Sequence, residues 1–294
     1  MALQRGRAAA FTLTGAALLL VGCATSEGAD VDAPAGDGPV VVATTTWQGA
    51  FAGAAGAEDV TVIVPNDVQH APEYEPSATD LAAVAGADFV LFSPFEPFAE
   101  QITEAAGADA GTIEVDLDND VETINSEVTR LAETFDTVEA AENWFEEFDR
   151  ERERIAGELR EQWPNGEPPV VVAQVYATWA AELAGVEPAD TYGPDQLSPG
   201  DVADLTGIEP DLVFENTHMS AGRVLPDSDA LQVGVVNYPD EDLDLIALYE
   251  ANAHTIASAL AGEETDPEAE GHDHGHDDGH GHDGEDEEES ERSH

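Results

Sequence analysis

Short apolar runs rich in valine, isoleucine and phenylalanine alternate along the chain with longer segments in which apolar residues recur every three or four positions. Short runs of this kind are typical of buried strands, and the periodic segments are typical of amphipathic helices. The candidate strands are Val40–Thr44, Val60–Val64, Phe89–Phe92, Thr112–Val115, Val170–Val175, Asp211–Phe214 and Gln232–Val236. Because strands that alternate with helices form parallel sheets with helical crossovers, we expect an α/β fold.

The middle of the chain carries the longest helical pattern. Apolar residues recur at helical spacing from Val121 to Leu159, and turn-forming residues at Trp163–Gly166 end the pattern. Asp136 stands three residues before Glu139, which is the spacing of a capping box. We therefore expect a second helix to begin at Asp136 and to run to about Glu161.

This helical region, residues 121–163, separates the first four candidate strands from the last three. It predicts two α/β lobes, residues 39–120 and residues 164–262, each with a mainly parallel sheet flanked by helices. The long helical region would join the lobes as a backbone. A closing helix is expected from Asp240 to Leu260, where apolar residues again form one face.

The first 23 residues predict a secretion signal. Two arginines precede an apolar run from Ala8 to Val21, and this run is short for a membrane span. Leu20 to Cys23 resembles the lipobox of a bacterial lipoprotein, and a lone cysteine has no partner for an internal disulfide. We expect an extracytoplasmic protein that a lipidated Cys23 anchors to the cell membrane. An uncleaved anchor helix is the alternative.

Both flanks of the two lobes have the composition of disordered segments. Residues 24–38, rich in Asp, Gly, Pro and Ala, predict a tether. Residues 263–294 form an acidic tail in which imidazoles alternate with glycine and aspartate, so that several rings can converge on one ion. Zinc is the first candidate, and a merely solvated tail is the alternative. The tail histidines expected to bind metal are His272, His274, His276, His280 and His282.

The charge balance restricts the partners. The chain carries 64 acidic residues against nine basic ones, for a net charge of -55. Such a surface repels phosphate backbones and anionic lipid headgroups, so we expect no nucleic-acid partner and no membrane contact apart from the anchor. Cationic ligands are favoured instead. The acid excess also suggests a salt-rich habitat, in which ions screen the repulsion.

Polar residues at the ends of candidate strands carry the chemistry, because ligands of open α/β sheets bind beyond the carboxyl ends of the strands. His70 follows the second strand in a proline-rich loop, and Glu215 and His218 leave the strand that begins at Asp211. Imidazole and carboxylate together suit zinc or manganese. His70 alone fits a solvated loop histidine equally well. Asp240 follows the last strand and could instead cap the closing helix.

These segments resemble the zinc and manganese substrate-binding proteins of ABC transporters. The resemblance spans roughly Val40 to Leu260 and is carried by His70, Glu73–Asp80, Ala87–Leu91, the long helical region, Glu209–Glu215 and Tyr249–Ile256. It implies a monomeric binding protein in which two α/β lobes hold a divalent metal ion in the cleft between them. It further implies delivery of that ion to an ABC transporter permease, and no enzymatic activity.

The chain also departs from the family's pattern. Ala71-Pro72 separates His70 from the Glu-Tyr-Glu-Pro stretch, and the expected second histidine is absent from Asp116–Asp120. Asp190 is the only obvious substitute for the third ligand, and Asp240 matches the fourth, a carboxylate. The predicted ligands are therefore His70 and His218 through nitrogen, Glu215 and Asp240 through oxygen, and Asp190 in reserve.

The sequence is compatible with three functions. The first is a lipid-anchored receptor that captures zinc, or another divalent ion such as manganese, for an importer. The second has the same fold with a degraded cleft, so that the His-rich tail acts as a metal scavenger or buffer. The third is an extracytoplasmic metal-dependent hydrolase, for which the sequence has neither a His-x-x-x-His helix with glutamate nor a nucleophile elbow.

Overall fold

Parallel pairing organises the first half of the protein, as the sequence predicts. The computed structural model describes residues 38–65, 74–220 and 222–263, all of which belong to one compact unit. The first sheet has the strand order β2-β1-β3-β4, and every pair in it is parallel. Its strands are β1 (Val40–Ala43), β2 (Asp59–Val62), β3 (Phe89–Phe92) and β4 (Gly111–Glu114).

The second sheet repeats this arrangement with the order β6-β5-β7-β8, again entirely parallel. Its strands are β5 (Val171–Gln174), β6 (Asp190–Tyr192), β7 (Leu212–Asn216) and β8 (Leu231–Val235). The sequence did not predict β6, because this edge strand has three residues and no apolar run. The α/β fold with a mainly parallel sheet in each lobe is therefore confirmed.

Helices supply the crossovers between the parallel strands. The first lobe contains α1 (Thr46–Ala54), α2 (Ala78–Gly86) and α3 (Ala99–Ala105). The backbone consists of α4 (Val121–Phe135) and α5 (Val138–Glu161), and the second lobe contains α6 (Thr178–Leu183), α7 (Pro199–Thr206) and α8 (Leu245–Leu260). No helix within the described ranges is long and apolar enough to cross a lipid bilayer.

The junction between the two backbone helices differs from the prediction. Asp136 does not begin α5; it ends α4 in the left-handed conformation, with φ 60° and ψ 37°. The residue before α5 is Thr137, whose side chain makes no capping hydrogen bond. A short polar residue tolerates the left-handed region better than most, so the Asp136–Glu139 spacing marks a helix end here. The predicted end of α5 at Glu161 is confirmed.

The closing helix also starts later than predicted. α8 begins at Leu245, and the carboxylate of Asp244 accepts hydrogen bonds from the backbone amides of Ile246 (2.8 Å) and Ala247 (3.2 Å). Asp240 therefore does not cap this helix. A carboxylate that caps two backbone amides fixes the start of a helix more sharply than the apolar pattern does.

A continuous hydrophobic core joins the two lobes. Buried residues from both sheets and from α1, α4, α5 and α8 belong to one cluster. At its centre the ring of Tyr249 lies 5.1 Å from Phe148 and 5.0 Å from Trp179, measured between ring centroids. Smaller clusters cover the opposite face of each sheet. Separating the lobes would expose part of this shared core to water, which is unfavourable.

Candidate metal site

The two lobes touch where the loops after β4 and β8 meet. The side-chain amide of Asn119 donates a 2.9 Å hydrogen bond to the carbonyl oxygen of Asn237, and the hydroxyl of Tyr249 donates to the carbonyl oxygen of Asn119. The rings of Trp47, from α1, and Tyr238 meet edge to face at 5.2 Å. The carboxyl ends of β4 and β8 thus share one interface, where ligands of open α/β sheets bind.

His218 lies beside this interface in a short 3-10 turn, Thr217–Met219, that directly follows β7. Its backbone amide donates a 3.0 Å hydrogen bond to the side chain of Asn216, and its ring packs on Tyr238 at 4.7 Å. The side chain is half-buried, and burial lowers the pKa of its imidazole. The neutral imidazole is the form that binds metal ions, so His218 is suited to the role predicted for it.

Tyr238 connects His218 with the first lobe. Its ring contacts both the imidazole of His218, at 4.7 Å, and the indole of Trp47, at 5.2 Å. Burial and the nearby charge of Glu96 raise the pKa of Tyr238, so its hydroxyl stays protonated at neutral pH. Tyr238 therefore acts on His218 through packing of a neutral ring.

Glu96, in the segment after β3, is a buried carboxylate that the sequence reasoning missed. It accepts hydrogen bonds from the Thr44 hydroxyl (2.9 Å), the Gln48 amide (3.0 Å) and the Ser93 backbone amide (3.0 Å). Burial raises the pKa of Glu96 even though these bonds stabilise its charge. With three donors around it, Glu96 fits a structural role. The available signal was its position as a lone acid among apolar residues after a strand.

Glu215 faces a different side of the second sheet from the shared core. Side chains alternate along a strand, so Glu215 shares a face of β7 with Val213, while Phe214 packs into the core that joins the lobes. The carboxylate of Glu215 accepts hydrogen bonds from Ser220 (3.2 Å) and from the amide of Gln232. It is 1% exposed. Glu215 lies near the end of β7 and His218 follows that strand, yet their side chains have different surroundings.

Two further predicted oxygen ligands are exposed. Asp240 lies in the loop after β8, where its carbonyl oxygen accepts a 2.9 Å hydrogen bond from Leu243. Asp190 begins β6 and pairs with Val172, two residues before the carboxyl end of that strand pair. Its carboxylate accepts a 2.8 Å bond from the backbone amide of Thr191. Asp190 therefore stands toward the amino end of its sheet.

The other predicted metal and lipid sites lie outside the described residues. These are His70, Cys23 and the tail histidines His272, His274, His276, His280 and His282.

Two amide side chains occupy the lobe interface, and one of them, Asn119, stands where the family resemblance implies a histidine. Asn119 stands within Asp116–Asp120, just before the Asp120 side chain that caps α4. Asn237 follows β8; its side-chain oxygen accepts from the indole of Trp179 (2.9 Å) and its amide donates to the carbonyl oxygen of Tyr176 (2.8 Å). Both asparagines are buried. The sequence reasoning missed them because their contacts depend on residues distant in the chain.

The described part of the chain does not hold a complete metal centre by itself. Across residues 38–65, 74–220 and 222–263, no three His, Cys, Asp or Glu side chains lie close enough together to bind one ion. His218 would therefore need ligands from residues beyond these ranges, and His70 is the predicted one.

Comparisons with known proteins identify the fold. No protein-family model matches the chain, and neither does any curated protein sequence. Among solved structures, the laminin-binding protein Lmb of Streptococcus agalactiae, described as an adhesin with metal-transporting activity, aligns with a TM-score of 0.56 at 15% identity. That alignment covers 76% of this chain and 100% of Lmb.

Two other bacterial binding proteins give similar values. FpvC of Pseudomonas aeruginosa, solved with Mn²⁺, aligns with a TM-score of 0.54 at 13% identity over 77% of this chain and 99% of its own. The periplasmic zinc-binding protein TroA of Treponema pallidum aligns with a TM-score of 0.52 at 13% identity over 76% and 99%. All three are named for binding or transport, and none as an enzyme. The chain therefore has the fold of the metal-binding substrate-binding proteins, as its sequence resemblance predicts.

Proposed function

We propose that this protein captures a divalent metal ion between its two lobes and delivers it to an ABC permease for import. The observation that carries the proposal is His218, a half-buried imidazole that burial keeps neutral, beside the lobe interface. The fold supports the proposal because proteins named for binding manganese and zinc share it. Neutral imidazole is the commonest protein ligand for such ions.

The proposed ligand set draws on both lobes. His70, after β2, and His218, after β7, would each provide a nitrogen, and Asp240, after β8, would provide a carboxylate. Two imidazoles and a carboxylate suit the four-coordinate geometry of zinc, whose remaining position a water can fill. Manganese prefers sites richer in oxygen ligands. Zinc is therefore the proposed cargo, with manganese as the alternative.

The two ends of the chain would support this capture. A lipid on Cys23 would hold the protein at the outer side of the cell membrane, close to the permease. The tail histidines would bind ions weakly and raise their local concentration near the interface. Both roles rest on the sequence patterns of residues 1–23 and 263–294.

Zinc titration calorimetry tests the proposal once the tail is silenced. In the tail-silent chain, all six histidines after position 270 of the full chain are changed to serine. We expect this chain to bind zinc at one site. His218→Ala should weaken this site by more than about 100-fold, because losing a ligand exceeds the effect of losing a supporting contact. His254→Ala is the matched control, since His254 is exposed on α8. Equal affinities in the His218 variant and its parent would refute the role of His218.

A second function, metal buffering by the tail with a cleft that no longer binds, has one observation in its favour. Asn119, in the stretch where the resemblance implies a second histidine, bonds directly to Asn237 across the interface. The same titration separates the two functions. Buffering alone predicts zinc binding by the unaltered chain and none by the tail-silent chain.

A further inference from the structure

A network of hydrogen bonds holds the chain segment that follows His218. The hydroxyl of Ser220 donates to the carboxylate of Glu215 (3.2 Å) and accepts from the backbone amide of Gly222 (3.2 Å). The side-chain amide of Gln232, on β8, donates both to Glu215 and to the carbonyl oxygen of Gly222 (2.9 Å). Glu215 and Gln232 thereby tie Ser220 and Gly222 to the neighbouring strands β7 and β8.

The other end of the His218 turn is also fixed. The side-chain oxygen of Asn216 accepts from the backbone amide of His218 (3.0 Å), and the backbone amide of Asn216 donates to the side chain of Gln174 on β5 (3.3 Å). His218 therefore sits on a turn held by Asn216 on one side and by Glu215, through Ser220, on the other. A histidine fixed at both ends meets the demand of a metal site for preorganised ligands.

Glu215 lies on the face of the second sheet opposite the shared core, whereas the ring of His218 packs on Tyr238, which contacts that core. The charge of Glu215 helps to raise the pKa of Tyr192, which belongs to the cluster on the face of the sheet opposite the shared core. A buried carboxylate needs strong partners, and bonds from Ser220 and Gln232 to a charged acceptor supply them.

We infer that Glu215 is a positioning residue of the metal site, which anchors the turn bearing His218 and does not touch the ion. This inference rests on the proposed function. It removes Glu215 from the predicted ligands and leaves His70, His218 and Asp240 as the proposed set.

Two variants in the tail-silent chain separate anchoring from ligation. Ser220→Ala cuts the bond between Glu215 and the turn but leaves the carboxylate in place, whereas Glu215→Gln removes its charge. An anchoring role predicts that both variants lower zinc affinity, each by about 10-fold, the scale expected for a contact that orients a ligand. Ser126→Ala, exposed on α4, is the control and should have no effect. Loss of affinity in Glu215→Gln with full affinity in Ser220→Ala would overturn the inference and make Glu215 a ligand.

Amide hydrogen exchange of the metal-free chain gives a readout that does not depend on zinc binding. Both variants should speed the exchange of amides in residues 217–222 and leave those of β5 unchanged, because the anchor is local. Unchanged exchange at residues 217–222 would overturn the inference even if zinc binds normally. Faster exchange in both variants, together with a parent chain that binds no zinc, would instead refute the proposed function while the anchor stands.

Discussion

The imidazole of His218 packs on Tyr238, and Tyr238 packs on Trp47 of the other lobe, so three rings line the interface. The packing orients the imidazole and restricts its access to water. The restricted access to water favours the uncharged ring, which is the state that competes best for a metal ion. At this scale the site depends on one histidine held by neutral neighbours.

The pH dependence of zinc binding follows from this environment. Burial lowers the pKa of His218, so the ring of the metal-free protein stays neutral down to a lower pH than an ordinary histidine, which titrates near 6.5. We expect the zinc affinity of the tail-silent chain to be level above about pH 7 and to fall as protons compete at lower pH. Titrations between about pH 5 and pH 8 measure this, and an affinity that stays constant down to pH 5 would contradict it.

Residue-level prediction succeeded where the signal is local in sequence. His218 follows an apolar strand by two positions, and this was sufficient to place it at a carboxyl edge. Asn119 and Asn237 form their contact across 118 positions of sequence. Local patterns cannot reveal such a partner, and an asparagine in a loop is ordinarily a turn residue. The sequence therefore did not show which group each buried asparagine bonds to.

Among the secondary-structure elements, the strands with apolar runs and the two backbone helices were predictable. Along α4, the buried residues Ile124, Val128, Leu131 and Phe135 recur at spacings of four, three and four, which is the helical repeat. Element boundaries were less predictable, because capping contacts decide them. Asp136 and Asp244 are both short acidic residues next to helices, yet one ends a helix and the other begins one.

The left-handed conformation of Asp136 predicts a stabilising substitution. Asp136→Gly should raise the free energy of unfolding by about 0.5–1 kcal/mol, because glycine adopts positive φ without steric cost. Glu133→Gly, exposed within α4, is the matched control and should lower it by about 1 kcal/mol. Urea denaturation measures both. A destabilised Asp136→Gly chain would mean that the aspartate side chain contributes more than the backbone strain costs.

The whole molecule combines a shared core with an extreme surface charge. The core runs through both lobes, so a wide separation of the lobes would break contacts such as those of Tyr249 with Phe148 and Asn119. We therefore expect the proposed ion to be released by small displacements of the loops after the strands and not by a large hinge motion. The loops after β7 and β8 carry His218 and Asp240.

The net charge of -55 predicts a strong dependence of stability on salt. Repulsion among carboxylates opposes the compact state, and at molar salt the Debye length falls to about 3 Å, which screens it. We expect the melting temperature to rise by several degrees, on the order of 5 °C, between about 0.01 M and 1 M sodium chloride. Sucrose at matched osmolality controls for general stabilisation by cosolutes. A melting temperature that stays level or falls with added salt would contradict this expectation.

Anomalous X-ray diffraction at the zinc edge tests the central claim most directly. Crystals of the tail-silent chain grown with zinc should show one strong anomalous peak at the lobe interface, about 2.0–2.1 Å from a ring nitrogen of His218. The peak should be absent from the His218→Ala variant and present in the His254→Ala variant. A zinc-soaked crystal with no anomalous peak beside His218 would contradict the account.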